Sequence, residues 1–112
     1  MEKPWLNNYP KGVNEYIDID KYSSVIDIYQ NSIKLYKDRP AFSNFGTTIS
    51  YADFDKATRS VATYLQHSLK LEKGERVAIM MPNLLQNPVA IFGVLMAGLT
   101  VVNTNPLYTT RE

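Results

Sequence analysis

The residue types that most often perform chemistry are sparse in this sequence. His67 is the only histidine, and no serine, aspartate or second metal ligand stands at a spacing that indicates a catalytic triad or a metal site. Its neighbours Gln66 and Ser68, near the end of a helical pattern, indicate a solvated surface position. Asp53 and Asp55 are two positions apart, so on a helix their carboxylates point in different directions and do not form an acid–base pair.

Nucleotide-binding loops are missing as well. The turn after the apolar block 77–81 reads Pro82-Asn-Leu-Leu85, without the glycines that let backbone approach a pyrophosphate. The polar loop Asn103-Thr-Asn105 follows a strand at the edge where open α/β sheets bind ligands, although a turn that only feeds the next helix is the favoured explanation. We therefore predict that the chain holds no catalytic, cofactor-binding or metal-binding residue.

The elements that would position any site are organised around a run without charge. No Asp, Glu, Lys or Arg occurs between residues 77 and 110, although these types make up 21% of the chain. Two short apolar blocks, 77–81 and 99–102, flank a longer apolar segment, which predicts a βαβ unit whose parallel strands are buried on both faces. The apolar stretch 89–102 is shorter than the ~20 residues that a membrane span needs.

Single residues inside the run predict how its helix begins, packs and ends. Either Asn83 or Asn87 can cap the helix, and with Asn87 as the cap Pro88 takes the favoured first position. Gly93 costs about 1 kcal/mol relative to alanine in mid-helix, which indicates close approach of another element. Gly98 is expected to end the helix in a left-handed conformation.

The segment before the run predicts two helices and a hairpin. Ser24 and Asp27 form a capping box for a helix over residues 25–37, and Ser50 and Asp53 form another for a helix over residues 51–69. Residues 41–45 and 48–50 flank a Gly-Thr turn and predict a short β-hairpin. Residues 1–22 predict an irregular arm that packs its aromatic rings onto the body, with an interfacial membrane anchor as the alternative.

A third capping box at the end of the chain, Thr109 with Glu112, prepares a helix that the 112 residues do not contain. We therefore expect the chain to be a fragment of a longer protein.

Composition narrows the class of protein. Lys and Arg total 12 against 11 Asp and Glu, so no basic face supports nucleic-acid binding. The chain has no cysteine, which fits a reducing compartment. The N-terminus lacks the apolar segment of a secretory signal, and we expect a cytoplasmic location.

Several stretches together resemble the N-terminal start of bacterial long-chain fatty-acid–CoA ligases, which belong to the adenylate-forming, AMP-dependent synthetase superfamily. These stretches are Trp5-Leu-Asn7, Ser50-Tyr-Ala-Asp-Phe54, Lys73-Gly-Glu-Arg-Val-Ala-Ile-Met-Met-Pro-Asn83, Pro88-Val-Ala-Ile-Phe-Gly93 and Val101-Val-Asn-Thr-Asn-Pro-Leu-Tyr-Thr109. The resemblance covers essentially the whole chain. It implies that residues 23–112 are an incomplete part of the large N-terminal, AMP-binding domain.

The resemblance also implies a function for the parent protein. That protein would activate a long-chain fatty acid with ATP and Mg²⁺ to an acyl-adenylate and transfer the acyl group to coenzyme A. The phosphate loop, the ribose-binding acidic residue and the catalytic lysine of the family would lie beyond residue 112. The fragment alone is then expected to be inactive and to bind no cofactor.

The partners implied are the rest of the parent enzyme and the fatty acid, together with self-association of the fragment and peripheral contact with the inner face of the cell membrane. The alternative is a free-standing small α/β ligand-binding or protein-interaction module.

Overall fold

The computed structural model describes residues 2–111 and contains both helices and strands. In chain order the elements are a 3₁₀ turn (Pro4–Asn8), α1 (Val25–Tyr36), β1 (Pro40–Asn44), β2 (Thr47–Ser50), α2 (Tyr51–Thr63) continuing into a π-helical turn (Tyr64–Ser68), β3 (Arg76–Ile79), α3 (Gln86–Met96) and β4 (Thr100–Asn103). Strands β1 and β2 form an antiparallel hairpin, and β3 and β4 form a parallel pair. The predicted α/β class, with one βαβ unit and one hairpin, is confirmed.

Serine side chains begin the first two helices as predicted. The Ser24 Oγ accepts from the backbone N–H of Asp27 at 3.1 Å, and the Ser50 Oγ accepts from that of Asp53 at 3.1 Å. The returning bond of the first box differs from the prediction, because the Asp27 carboxylate accepts from the N–H of Ser23 at 3.1 Å. Each helix therefore has an otherwise unpaired first-turn donor satisfied by a side chain.

The hairpin turns one residue earlier than the sequence suggests. Phe45 and Gly46, with φ angles of 47° and 78°, are the two turn residues. Positive φ at both positions is typical of the tight turn that matches the natural twist of a two-stranded ribbon. Glycine adopts it freely, whereas a phenylalanine there is strained.

The parallel pair is covered on one face only. Val77 pairs with Val101 and Ala78 with Val102; Val77, Ile79 and Val101 pack into the core, whereas Ala78 and Val102 are exposed. The prediction that these strands are buried on both faces is therefore wrong for the part of the chain that the structure describes. Both α2 and α3 pack with the core on the same side of the pair, and nothing described covers the other.

Helix α3 begins at Gln86, so neither Asn83 nor Asn87 is its cap. Pro88 is the third residue of the helix, where its missing N–H removes no intrahelical bond.

At the C-terminal end of α3 the prediction for Gly98 is confirmed, since its φ is 80°. Its N–H donates to the carbonyl of Leu95 at 3.0 Å, and that of the next residue reaches back to Val94 at 3.1 Å. This paired closure is a Schellman motif.

The core lies where α3 crosses α2, and Gly93 permits the crossing. A Cβ added at Gly93 would stand 2.6 Å from the Val61 Cγ1 of α2. The predicted close approach is confirmed. The buried apolar residues around this contact are Ala62, Leu65, Ile79, Val94, Ala97 and Leu99.

Two predictions concern the ends of the chain. The aromatic residues of the N-terminal arm, Trp5, Tyr9, Tyr16 and Tyr22, are all exposed, so the prediction that they pack onto the body is wrong. The third capping box depends on Glu112, which lies outside the described residues.

Replacing Gly93 with alanine should lower the free energy of unfolding by about 1–3 kcal/mol, because the added methyl group overlaps Val61. Urea unfolding followed by circular dichroism measures the change. The matched control is Gln86→Ala, an exposed position on the same helix that should shift stability by less than about 0.5 kcal/mol. An unchanged midpoint for Gly93→Ala would contradict the close approach of α2 and α3.

Candidate functional site

A cleft of about 470 Å³ lies over the carboxyl ends of β3 and β4. It is lined by Ile79, Met81, Asn83, Asn87, Ile91, Asn103, Thr104, Asn105, Pro106 and Tyr108. The loop that leaves β4 is held across the sheet edge, because the Thr104 N–H donates to the Ile79 carbonyl at 3.0 Å. The polar loop predicted at residues 103–105 therefore does reach the edge where open α/β sheets bind ligands.

The side chain of Asn87 stabilises the turn after β3 at the bottom of this cleft. Its Nδ2 donates to the carbonyls of Met81 at 3.3 Å and Pro82 at 3.2 Å, which fixes the turn after β3 against the first turn of α3. The sequence suggested a capping role for Asn87, but the side chain points back to the preceding turn. Because the chain must reverse there before α3 begins, its carbonyls need donors from outside the helix.

Asn105 organises the far wall of the cleft. Its Oδ1 accepts from the N–H of Leu107 at 3.0 Å, and its carbonyl accepts from that of Tyr108 at 3.1 Å. An asparagine that bonds backbone two residues on makes a local turn. The asparagine therefore shapes the loop, as the simple-turn explanation requires.

A second cleft, of about 290 Å³, adjoins the first on the hairpin side. It is lined by Phe42, Ser43, Asn44, Asn83, Leu84, Leu85, Asn87, Pro88 and Ile91. The Nδ2 of Asn44 donates to the Asn83 carbonyl at 2.9 Å and ties the hairpin to the turn after β3. Nothing in the sequence indicated this contact, because it joins positions 39 residues apart.

The two clefts can accommodate neutral groups but offer no charge. None of the described residues that line them is an Asp, Glu, Lys, Arg or His. Carboxamides and hydroxyls can donate and accept hydrogen bonds, yet none of these groups takes up or releases a proton near neutral pH. The clefts therefore offer neutral hydrogen-bonding groups and apolar surface, which suit binding or packing.

The titratable residues singled out in the sequence lie elsewhere and apart. His67 is exposed in the π-helical turn, as predicted. Asp53 serves the N-terminus of α2, where it caps with Ser50. Among the described residues no three His, Cys, Asp or Glu side chains come together as a metal site.

Asp55 takes part in a contact that the sequence analysis missed. Its carboxylate accepts from the Tyr29 hydroxyl of α1 at 2.9 Å and from the Arg59 Nε at 2.8 Å. Burial raises the pKa of Tyr29 to about 12, and the hydrogen bond to Asp55 also raises it. The Tyr29 ring stacks on Phe92 with centroids 5.0 Å apart. The i,i+4 spacing of Asp55 and Arg59 was the one visible signal; it does not reveal the tyrosine.

Structures of known proteins first define the fold. The N-terminal subdomain of Klebsiella oxytoca NpsA superposes with a TM-score of 0.74 at 24% identity, over 79% of this chain and 23% of that one. VinN superposes with a TM-score of 0.74 at 22% identity, over 80% of this chain and 24% of that one. The fold is that of part of an adenylation-type N-terminal subdomain.

The sequence then identifies the family. The family model described as AMP-binding enzyme matches residues 29–112, so the chain belongs to the AMP-binding enzymes, and the predicted resemblance is confirmed.

Curated relatives match over the whole chain. Proteins called long-chain-fatty-acid–CoA ligase from Haemophilus influenzae and Yersinia pestis are 49% and 54% identical over all 112 residues, and one from Bacillus subtilis is 36% identical over 111 residues. The chain spans about a fifth of the length of each of these relatives. No helix in residues 2–111 combines the length and the apolar character needed to cross a bilayer.

Replacing Asn87 with alanine should lower the free energy of unfolding by about 1 kcal/mol, because two carbonyls lose their donor. Asn87→Asp should do the same, since a carboxylate has no N–H to donate. Thermal unfolding measures both, with Asn103→Ala at an exposed position as control. Equal stability of Asn87→Ala and the unsubstituted chain would show that Asn87 does not brace the turn.

Alkaline pH should weaken the attachment of α1. The pKa of Tyr29 is raised above its ordinary value of 10.0 to about 12, so its stabilising effect is complete below pH 10 and is lost as the pH rises towards 12. Tyr29→Phe should therefore unfold more easily at pH 8 yet lose less stability between pH 10 and 12. Thermal unfolding at several pH values tests this, with exposed Tyr64→Phe as control. Identical pH profiles for Tyr29→Phe and the unsubstituted chain would contradict the assignment.

Proposed function

We propose that this chain is the N-terminal part of a long-chain-fatty-acid–CoA ligase. The observation that carries the proposal is the identity of 49% to the Haemophilus influenzae ligase over all 112 residues. The match includes the uncharged βαβ unit as well as both helices before it. Identity of this extent over a whole chain supports a shared activity better than a fold likeness does, because one fold serves many chemistries.

The proposed reaction has two steps. The carboxylate of the fatty acid attacks the α-phosphorus of ATP, so that an acyl-adenylate forms and pyrophosphate leaves. The thiolate of coenzyme A then attacks the acyl carbon, and the thioester forms as AMP leaves. Mg²⁺ would accompany ATP in the full-length protein. The described residues form no cluster that fits this ion, so we assign none of them to the metal.

Within that enzyme we assign this chain the role of scaffold, without catalytic or cofactor-binding residues. The uncharged lining of both clefts and the exposed position of His67 support this role. The remaining part of the enzyme is then its principal partner. The bare face of β3 and β4, with Ala78 and Val102 exposed and Met80 exposed directly after β3, supports self-association of the isolated chain, because exposed apolar patches favour association.

We place the ligase in the cytoplasm, with peripheral contact at the inner face of the cell membrane. The apolar substrate in the printed name of the relatives supports the membrane contact, because long acyl chains partition into bilayers. The absence of cysteine fits a reducing compartment.

The cleft at the carboxyl ends of β3 and β4 favours one alternative, a free-standing α/β module that binds a small ligand. Such a module would be a monomer whose cleft binds its ligand without further polypeptide. A pure interaction domain would instead have a stoichiometric protein partner and no affinity for nucleotide.

The isolated 112-residue chain should bind no ATP and should form dimers or larger species, whereas the full-length protein should make acyl-CoA from a long-chain fatty acid, ATP and coenzyme A. Calorimetric titration with ATP, light scattering and a thioester assay measure these properties. The full-length protein without the fatty acid is the control for the assay.

Two results would overturn the proposal. One is tight ATP binding by a monomer of the isolated chain, which would place a nucleotide site within these residues. The other is a full-length protein that forms no acyl-CoA although it is folded and soluble.

A further inference from the structure

The two clefts form one continuous surface at the carboxyl ends of β3 and β4. They share Asn83, Asn87 and Ile91 as lining residues, and the hydrogen bond from Asn44 joins their walls. We call this surface, defined by the residues that line the two clefts together with Leu107, which stands between the lining residues Pro106 and Tyr108, the uncharged end face. It extends from the hairpin to the loop that leaves β4.

The carboxamides of the uncharged end face bond largely within the chain. Asn87 donates to two backbone carbonyls, Asn44 donates to a third, and Asn105 accepts from the N–H of Leu107. A site built to recognise a polar small molecule would aim these groups outwards. Here they stabilise turns, so a covering layer needs to supply few polar partners.

Apolar side chains at the rim, in contrast, remain in solvent. Leu107 is 83% exposed and Tyr108 51% exposed, and both lie on the loop that forms one wall. Charged residues are depleted in the cores of protein interfaces. The end face shares this property, because no charged residue of the described chain lines either cleft, and the Tyr108 ring stands exposed at its rim.

We infer that the uncharged end face is the surface on which the remaining polypeptide of the full-length ligase packs, with Leu107 and Tyr108 as buried anchors. The inference rests on the proposed function, since it requires the longer protein. Curated relatives are about five times as long as this chain. The lining includes residues 103–106 and Tyr108, so in such a relative the segment that follows residue 112 starts near this surface.

The other possible occupants fit less well. A lipid surface with anionic headgroups is attracted by Lys and Arg, and the lining has neither. A polar ligand would compete with backbone groups for the carboxamides of Asn44, Asn87 and Asn105. An uncharged protein surface meets no ion that must be desolvated, which is the main cost of burying charged groups.

Thiol labelling of the full-length protein tests the inference. The probe position is Leu107→Cys, and the control is Leu35→Cys, because Leu35 is 71% exposed on α1 beside two lysines and should stay in solvent. Residues 1–112 contain no cysteine, and labelling of the unsubstituted protein gives the background. A maleimide should react with Leu107→Cys at least about ten-fold more slowly than with Leu35→Cys.

A measurement without substitution covers the case in which Leu107→Cys does not fold. Hydroxyl-radical footprinting of the unsubstituted full-length protein should oxidise Tyr108 far less than Tyr64, although their exposures here are 51% and 55%. Equal oxidation, or equal labelling of the two cysteines, overturns the inference. Protection that disappears on dilution identifies a second copy as the occupant, and protection that requires added vesicles identifies a lipid surface; both overturn it too.

These readouts are independent of the reaction. If the full-length protein forms no acyl-CoA but protects Leu107→Cys and Tyr108, the ligase assignment fails while the packing surface stands. If acyl-CoA forms and both positions are freely modified, the packing surface fails while the ligase assignment stands.

Discussion

The contact between α2 and α3 at Gly93 is the constraint on which the rest of the structure depends. With no side chain at Gly93, Val61 fits against the backbone of α3, and the two helices come close enough to close the core over one face of β3 and β4. Ala62 and Leu65 from α2 meet Val94 and Ala97 from α3 in that core. A larger residue at the crossing would separate the helices and expose it.

Much of the architecture could be predicted because local signals agreed with the fold. The serine caps, the helical spacing of apolar residues and the glycine after α3 each act within a few residues, and all three matched the structure. The start of α3 could not be predicted, because Asn83 and Asn87 both satisfy the local requirement for a cap. The Asn87 side chain instead bonds to the turn after β3, and the Asn83 carbonyl accepts a hydrogen bond from the hairpin. Such contacts cannot be read from a linear sequence.

Burial was the weaker part of the prediction. A run of apolar residues shows that a strand is suited to an interior, but not whether a cover is present on each face. The strands β3 and β4 have the composition of doubly covered strands, yet only the face bearing Ile79 is covered among the described residues. The exposed rings of the N-terminal arm show the same limit, since aromatic character alone does not name a packing partner.

The candidate site was partly foreseeable. The loop at residues 103–105 was placed correctly, because the carboxyl ends of parallel strands lie at one edge of a sheet. The joining of two clefts through Asn44, and the link from Tyr29 to Asp55, both depend on contacts between elements far apart in sequence. Neither has a local signature, so only the assembled structure could reveal them.

A single helix, α3, joins the two parallel strands. This short connection affects how a growing polypeptide folds on the ribosome. Within the β3–α3–β4 unit the two strands pair across one helix, so loop closure costs little entropy and the unit can form early. In a protein of the relatives' length, it would emerge while most of the chain was still being synthesised. Its uncovered apolar face would then be open to chaperones that shield nascent chains until the covering layer is made.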